Sequence, residues 1–571
     1  MSNLNEKITL IWSIADKLRG VYQRHEYGKI ILPFIVLRRF DCILEKTKDA
    51  TLMTQQENIA QNFPKDLQTI YLTNASGYDF YNISKFDFKK LLDDPDNIES
   101  NLKEYILGFS QNVIDILDNF EIHSKLQKLS ENGVLYLVVS EFSKTDMHTD
   151  VISNHDMGYI FEEVVRKFLE GYNAGAGEHY TPREVVELMV NVLFCNDKEM
   201  LAQDAIRTIY DPACGTGGML SVAEEILKSY NNKAQLKLFG QELNDETFAI
   251  CKADVLIKGL DASNICKGNT LSDDKFPNEK FNYIISNPPF GAEWKNEKDT
   301  IERERELGFK GRFGAGLPAI SDGQMLFLQT AISKMSTARN GSRVAIIHNG
   351  SPLFTGDAGS GPSEIRRYIL ENDLLETIIA LPNDIFYNTG IPSYIWILSN
   401  KKENKRKGKV QLINANKMCV KMRKSLGNKR NEISKEHIAN ITRIYHDFND
   451  EQFSKIFHNT DFGYKKITIE RPKRDENGEI VLKKGKKQAD TDLRDTETIA
   501  FDANEHEYFE REILPNYPDA WLDESKTKIG YEIPFTRHFY EYVAPRKSDD
   551  ILAEIRELDT KSQEIMKQIL K

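Results

Sequence analysis

The chain predicts an α/β fold around a mainly parallel sheet, with a helical domain ahead of it and a helical tail behind. Three observations carry that expectation. Between about 155 and 400, short β-rich runs alternate with amphipathic stretches, the texture of strands wound with helices. Before 150, apolar residues recur at helical spacing. After 548, a heptad stripe steps by four and three through Ile551, Ile555, Leu558, Ile565 and Ile569, with Ser562 at the missing position.

In chain order, Ile8, Ile11, Ala15 and Leu18 share one helical face, and "GKIILPFIVLRRFDCIL" continues the spacing. No chemistry-bearing motif lies there, so residues 1–150 read as a helical domain for packing or partner contact. Residues 151–420 form the α/β domain. Its strands are expected at "RTIYDPA", "LKLFGQEL", "NICKGNTL", "FNYIISN", "RVAIIHN", "ETIIALP" and "SYIWILSN", with helices such as "DGQMLFLQTAISKM" between them. Ligands of such sheets bind along the carboxyl ends of the strands. Residues 421–500 read as a basic, irregular extension, whose Asn477-Gly478 pair marks a surface hairpin. Residues 501–571 form a last segment ending in a docking helix.

Composition bounds the function. At 571 residues the chain is too long for one core. No apolar run reaches the roughly 18 residues of a membrane span. The amino terminus mixes acids into an amphipathic pattern and lacks a signal peptide, so a cytoplasmic protein is expected. Six scattered cysteines, with no CxxC pair and no histidine at ligand spacing, read as buried thiols, and no metal site is expected. A net charge of −11 argues against a chain that grips DNA tightly by itself.

The first predicted strand runs into "DPACGTGG", Asp211 to Gly218, and then a helix. Glycines at such a turn let the backbone approach a ligand and aim amides at it. The second strand ends at Glu242, where an acid can take both hydroxyls of a ribose. Those two features indicate an adenosine-containing cofactor without saying which. Upstream, Thr181-Pro182 reads as a helix start, Thr181 capping and Pro182 in the first turn, with donors that suit the carboxylate of an amino-acid tail.

The fourth strand ends abruptly in Asn287, Pro288, Pro289 and Phe290. Prolines stop a strand because they give no backbone donor. An aromatic exocyclic amine is a poor nucleophile, its lone pair drawn into the ring. Two acceptors, the Asn287 amide oxygen and the Pro288 carbonyl, would pull it towards a tetrahedral shape. Phe290 offers the base a stacking face, worth ~1–3 kcal/mol. Taken alone, NPPF is as readily a loop whose phenylalanine packs back into the core. "PDAWLDESK" imitates a nuclease acid pattern but is too tight for one, and no phosphate-loop motif appears.

"YTPRE", "DPACGTGG", "GQELNDE" and "NPPF", in that order, resemble the motifs of amino-group DNA methyltransferases. With "IWSIADKLRG", "FGYKKITIERP" and "GYEIPFTRHFYEY", nearly the whole chain resembles the modification subunit of type I restriction-modification systems. The resemblance implies a Rossmann-like core that uses S-adenosylmethionine to methylate N6 of adenine in double-stranded DNA, on a base flipped from the duplex. It places Glu178, His179, Tyr180, Thr181, Pro182 and Arg183 at the methionine part of the cofactor. Gly215, Thr216 and Gly217 lie beneath it, oriented by Asp211, and Glu242 meets the ribose. Asn269 stands where relatives often carry an Asp towards the adenine; an amide there can hydrogen-bond but adds no charge. The catalytic tetrapeptide is Asn287, Pro288, Pro289 and Phe290, and the run 291–323 closes over the base. The implied partners are a specificity subunit, a second copy of the modification subunit and a restriction subunit. Two rivals stay open: a methyltransferase for an RNA base or protein glutamine, and a catalytically silent scaffold that senses S-adenosylmethionine.

Overall fold

The structure is a computed structural model that describes residues 12–164, 181–202, 204–387, 389–483, 485–540 and 547–569. Its residues fall into two compact units, 1–533 and 534–571. The first unit opens helically, with Ile14, Ala15 and Leu18 buried, while Ile8 and Ile11 lie outside the described residues. Helix α1 (Tyr27–Leu44) follows, carrying "GKIILPFIVLRRFDCIL". It is buried nearly all round, as a central helix of a bundle must be. Its two arginines survive burial because each is engaged. Arg38 pairs with Asp41, and Arg39 donates to the Ile152 carbonyl at 2.8 Å and to Asn154 at 2.7 Å.

All seven expected strands are present: β1 (Ile206–Asp211), β2 (Gln235–Glu242), β3 (Ile265–Lys267), β4 (Tyr283–Ser286), β5 (Arg343–Asn349), β6 (Leu375–Ala380) and β7 (Ser393–Ser399). Two more join them in one nine-stranded sheet: β8 (Lys409–Asn414) and, beyond the hairpin β9 (Val420–Leu426) and β10 (Lys429–Glu432), β11 (Ser454–His458). The order is β11-β8-β6-β7-β5-β4-β1-β2-β3, with β7 and β11 antiparallel to their neighbours. β1 lies between β4 and β2 and is parallel to both, so Asp211, Glu242 and Ser286 end their strands on one side of the sheet, at its carboxyl ends.

Helices α2 (Arg183–Phe194), α3 (Gly218–Tyr230), α4 (Asp245–Ile257), α5 (Gln324–Ser333) and α6 (Lys435–Asp447) cover the sheet. α4 belongs to two cores. Phe248, Cys251 and Val255 pack with the sheet, while Ala249, Ile250, Ala253, Leu256 and Ile257 join the helical domain. A helix apolar on both sides makes the helical domain continuous with the wall of the crevice.

After the sheet come β12 (Gly463–Glu470), the two-residue strands β13 (Leu482–Lys483) and β14 (Lys486–Lys487), β15 (Asp495–Ala500), β16 (Trp521–Leu522) and β17 (Lys528–Tyr531). β12 pairs with β15, β16 and β17 in a small antiparallel sheet. Asn477-Gly478 turns as expected, Gly478 at φ 83° between the paired Arg474 and Ile480. The second unit ends in helix α7 (Ser548–Ile569), with Ile555, Leu558 and Ile565 more than half exposed. Among the described residues no helix is long and apolar enough to cross a membrane.

Candidate functional site

The crevice is built on the ends of β1, β2 and β4. Asp211 closes β1 wholly buried, its Oδ1 accepting the Ala213 amide at 3.0 Å and the Ser286 hydroxyl at 2.8 Å. Its Oδ2 takes no hydrogen bond among the described residues. Burial pushes this carboxyl up to about 7; the two hydrogen bonds oppose the rise, and the Glu242 charge adds to it. Asp211 therefore joins the glycine turn to the strand that carries the tetrapeptide.

Gly217 stands at the N-cap position of α3 at φ 81°, and a Cβ there would lie 2.6 Å from the Cys251 sulfur. Glycine is required twice, by the backbone and by the neighbour. The turn rests on β2: the Cys214 amide donates to the Gln241 carbonyl at 3.0 Å and the Gly215 amide to Glu242 Oε2 at 2.8 Å. Glu242 Oε1 accepts the Asn244 amide at 2.8 Å. Each carboxylate oxygen can accept a second hydrogen bond, and two are what a ribose diol offers. The buried carboxylate without a full partner set, the cradle a side chain would fill and the acid beyond it suit a cationic, ribose-bearing ligand.

Asn269 is engaged at both ends of its amide: Oδ1 accepts the Leu271 amide at 2.9 Å and Nδ2 donates to Glu297 Oε1 at 2.9 Å. The carboxylate that Asn269 lacks is thus brought beside it by a residue of the 291–323 segment. Sequence reasoning passed over Glu297, because nothing sets it apart from Glu293 and Asp299 around it. The segment itself is a packed wall. Trp294 Nε1 donates to the Ala319 carbonyl at 2.9 Å, and Arg312 donates to the carbonyls of Thr270 at 2.6 Å and Leu271 at 2.9 Å.

On the other side of the crevice, α2 starts at Arg183 with Pro182 at its N-cap position and no side-chain cap. This corrects the expected start with Thr181 capping. The Thr181 hydroxyl accepts instead from Asn287 Nδ2 at 2.9 Å, a partner 106 residues away. Arg183 is engaged with Glu225 of α3 and Glu187. Glu178, His179 and Tyr180 lie outside the described residues.

Asn287 and Pro289 are half-buried and Pro288 is buried. Phe290 differs from its expected open face. It is 3% exposed, packed into the sheet core and tilted edge-on to Phe386 with ring centres 6.4 Å apart. Stacking on a base requires this ring to turn out of the Phe386 contact. A groove of about 610 Å³ on the helical flank, lined by Asn191, Tyr230, Thr442 and His446 among others, brings together no comparable set. Among the described residues no group of three or more His, Cys, Asp or Glu is placed to hold a metal ion.

Comparison with known proteins agrees with this architecture. Residues 152–472 match the N-6 DNA Methylase family and residues 9–142 the HsdM N-terminal domain. The chain is 26% identical over 479 residues to the type I restriction enzyme MjaIX methylase subunit of Methanocaldococcus jannaschii, covering 80% of this chain and 79% of that one. It is 28% identical over 334 residues to the HindI methylase subunit of Haemophilus influenzae, covering 58% of this chain and 68% of that one. The fold matches the type I restriction-modification system methyltransferase subunit from Streptococcus thermophilus, with TM-score 0.62 and 22% identity over 80% of this chain and 97% of that one. The chain belongs to the N-6 DNA methylase family, as a methylase subunit of the type I restriction-modification kind.

Proposed function

We propose that this adenine-N6 DNA methylase binds S-adenosylmethionine across the ends of β1, β2 and β3 and receives a flipped adenine at the end of β4. The observation that carries the reading is one array: Gly215 on Glu242 at 2.8 Å, Asp211 on Ser286 at 2.8 Å, and Thr181 on Asn287 at 2.9 Å. The cofactor supplies an electrophilic methyl on a sulfonium. Gly215, Thr216 and Gly217 lie beneath it, Glu242 holds its ribose, Asn269 with Glu297 borders its adenine, and Glu178 to Arg183 hold its amino-acid end.

Asn287 Oδ1 and the Pro288 carbonyl accept the hydrogens of the target amine and turn its lone pair towards the methyl; Pro289 fixes that carbonyl's direction, and Phe290 meets the base after turning from Phe386. The amine sheds its proton after attack, so preorganised dipoles replace a strong base. Sequence reading belongs to a specificity subunit, docked in part by the exposed stripe of α7. A second copy of this chain completes the modification complex, a restriction subunit supplies cleavage and translocation, and the complex works in the cytoplasm.

The test is Asn287→Ala in the complex with its specificity subunit. Methyl transfer to DNA is expected to fall by about 10²–10³-fold, the usual loss on removing one preorganised polar partner, with cofactor affinity within about twofold. Transfer at the wild-type rate would sink the catalytic assignment. A wild-type complex that binds cofactor yet leaves DNA adenines unmodified would favour the scaffold reading.

A further inference from the structure

Residues 401–490 hold three Lys/Arg-rich runs, and the fold treats them differently. In the first, 401–409, Lys401, Lys402, Lys405 and Arg406 are engaged within the protein, while exposed Lys407 has no ion pair among the described residues. Lys402 Nζ lies 2.6 Å from Asp373 and 2.8 Å from the Lys409 carbonyl, and Lys405 donates to the His446 carbonyl at 2.8 Å. Arg406 is wholly buried between the rings of Tyr445 and Phe448, 4.2 and 4.3 Å from their centres. In the third, Arg474 pairs with Asp519 at 2.7 Å, Lys487 donates to the Asp519 carbonyl at 3.0 Å and Arg471 lies over Tyr517 at 4.4 Å, while Lys473, Lys483 and Lys486 are exposed with no ion pair among the described residues and no anchor to the packing around the tetrapeptide. The middle run is the β9–β10 ribbon. Lys421, Arg423, Lys424 and Arg430 are exposed there, with no ion pair among the described residues. No acid occurs between Asn416 and Asn431, in a chain whose net charge is −11.

The ribbon is fastened beside the crevice. Its tip turns at Gly427, φ 61°, where a Cβ would lie 2.5 Å from the Tyr387 carbonyl, so only glycine lets the tip sit on that backbone. The Asn428 amide donates to the same carbonyl at 2.7 Å, and the Arg430 amide to the Asp384 carbonyl at 2.9 Å. Lys429 turns inward instead: 3% exposed, it pairs with Glu184 in the first turn of α2. Glu184 follows Thr181, the partner of Asn287, by three residues, and the 381–387 loop carries Phe386 against Phe290. Both anchors of the ribbon therefore belong to the packing around the tetrapeptide.

We propose that the ribbon Val420–Glu432 is a phosphate-binding arm that grips the backbone of duplex DNA beside the flipped adenine. This inference rests on the function proposed above. Four unpaired cations on a two-stranded ribbon suit a polyanion, because neutralising phosphates releases condensed counterions. The contact carries no sequence information, in keeping with sequence reading by another subunit. A local patch also reconciles DNA binding with the acidic net charge.

The experiment uses the full chain assembled with its specificity subunit and a duplex containing the recognition site. Lys421→Gln, Arg423→Gln, Lys424→Gln and Arg430→Gln are combined, and DNA affinity is measured against salt. The slope of log affinity on log salt is expected to become shallower by about 3–4, from roughly 0.9 per lost phosphate contact. S-adenosylmethionine affinity and complex assembly stay unchanged. A control, Lys483→Gln with Lys486→Gln in the third run, leaves the slope as it was. An unchanged slope in the ribbon variant, or an equal change in the control, overturns the proposal. Loss of assembly in the ribbon variant also overturns it, in favour of contact with an acidic protein face. A wild-type complex that binds DNA yet transfers no methyl sinks the catalytic reading, and the arm is then upheld or overturned by the slope of the ribbon variant alone.

Discussion

The two ends of the nine-stranded sheet bury charge in opposite ways. At the amino ends of β5 and β6, Glu376 is 2% exposed and surrounded: Arg343 at 3.0 Å, Arg406 at 3.6 Å and the Tyr445 hydroxyl at 2.9 Å. The nearby charges hold Arg343 far up in its charged form, against the pull of burial. At the carboxyl end of β1, Asp211 is buried just as deeply, with Ser286 and one backbone amide but no cation among the described residues. A buried carboxylate ringed by donors is a fixed part of the fold; one left short of them costs stability and is kept where a ligand completes the set. On the proposed function, the contrast separates structural from functional charge on one sheet without reference to any motif.

Breaking the satisfied end should have the larger effect on stability. Glu376→Ala leaves Arg343 and Arg406 buried without their carboxylate and is expected to cost ~3–5 kcal/mol, the usual penalty for removing one partner of a buried pair. Asn287→Ala at the other end should leave the thermal midpoint unmoved while transfer collapses. Differential scanning calorimetry on both variants checks the contrast, and equal midpoints would erase it.

Next in size is the titration of Asp211. Its folded value of about 7 lies above the roughly 3.9 of an unfolded aspartate. Between those values the folded state holds a proton that the unfolded state has lost. Its contribution to stability is therefore greatest below about 4, declines as pH rises to about 7, and stays at its lowest above that. A cation held in the crevice favours the ionised carboxylate, so S-adenosylmethionine affinity should rise with pH, by up to about 10-fold between pH 6 and 8. Calorimetric titrations should show this for S-adenosylmethionine, much less for S-adenosylhomocysteine, whose sulfur is neutral, and not at all for Asp211→Asn. A flat wild-type profile would remove Asp211 from the ligand's surroundings.

The crevice end of this contrast was legible in the sequence, because buried parallel strands are near-continuous apolar runs and the polar residues that end them stand out, whereas the Glu376 cluster carries no local signal. β1, β2 and β4 end at Asp211, Glu242 and Ser286, where motif and strand signals coincide. β8 and β11 were not legible: "KVQLIN" emerges from a lysine-rich run, and β11 is an edge strand of which only Ser454 is buried, so it shows no apolar run. The β9–β10 ribbon is mostly exposed and carries no apolar periodicity for a sequence pattern to catch. Long-range pairings escaped for a different reason. A Thr-Pro pair is a local signal for a helix start, whereas the Thr181 hydroxyl is claimed by Asn287 across the crevice. Nor could spacing tell that Phe290 packs inward on Phe386, since both lie in segments whose apposition only the fold creates.

The smallest effect, and the finest test of the open end, concerns Thr181. An asparagine amide presents an acceptor on one side and donors on the other, and a 180° turn exchanges them. Because the Thr181 hydroxyl accepts from Nδ2, it fixes which way the Asn287 amide faces, and on the proposed mechanism Oδ1 is the side that receives the hydrogens of an amine. Thr181→Val keeps the shape but removes that anchor. A lost hydrogen bond of ~0.5–1.5 kcal/mol should lower kcat by about 3–10-fold. KM for DNA and the thermal midpoint should not move, because the methyl still packs and no buried charge is exposed. Thr181→Ser restores the oxygen and should recover kcat. If the valine variant turns over like wild type, the hydroxyl only lines the crevice; if serine fails to rescue it, the effect comes from packing and not from the orientation of the Asn287 amide.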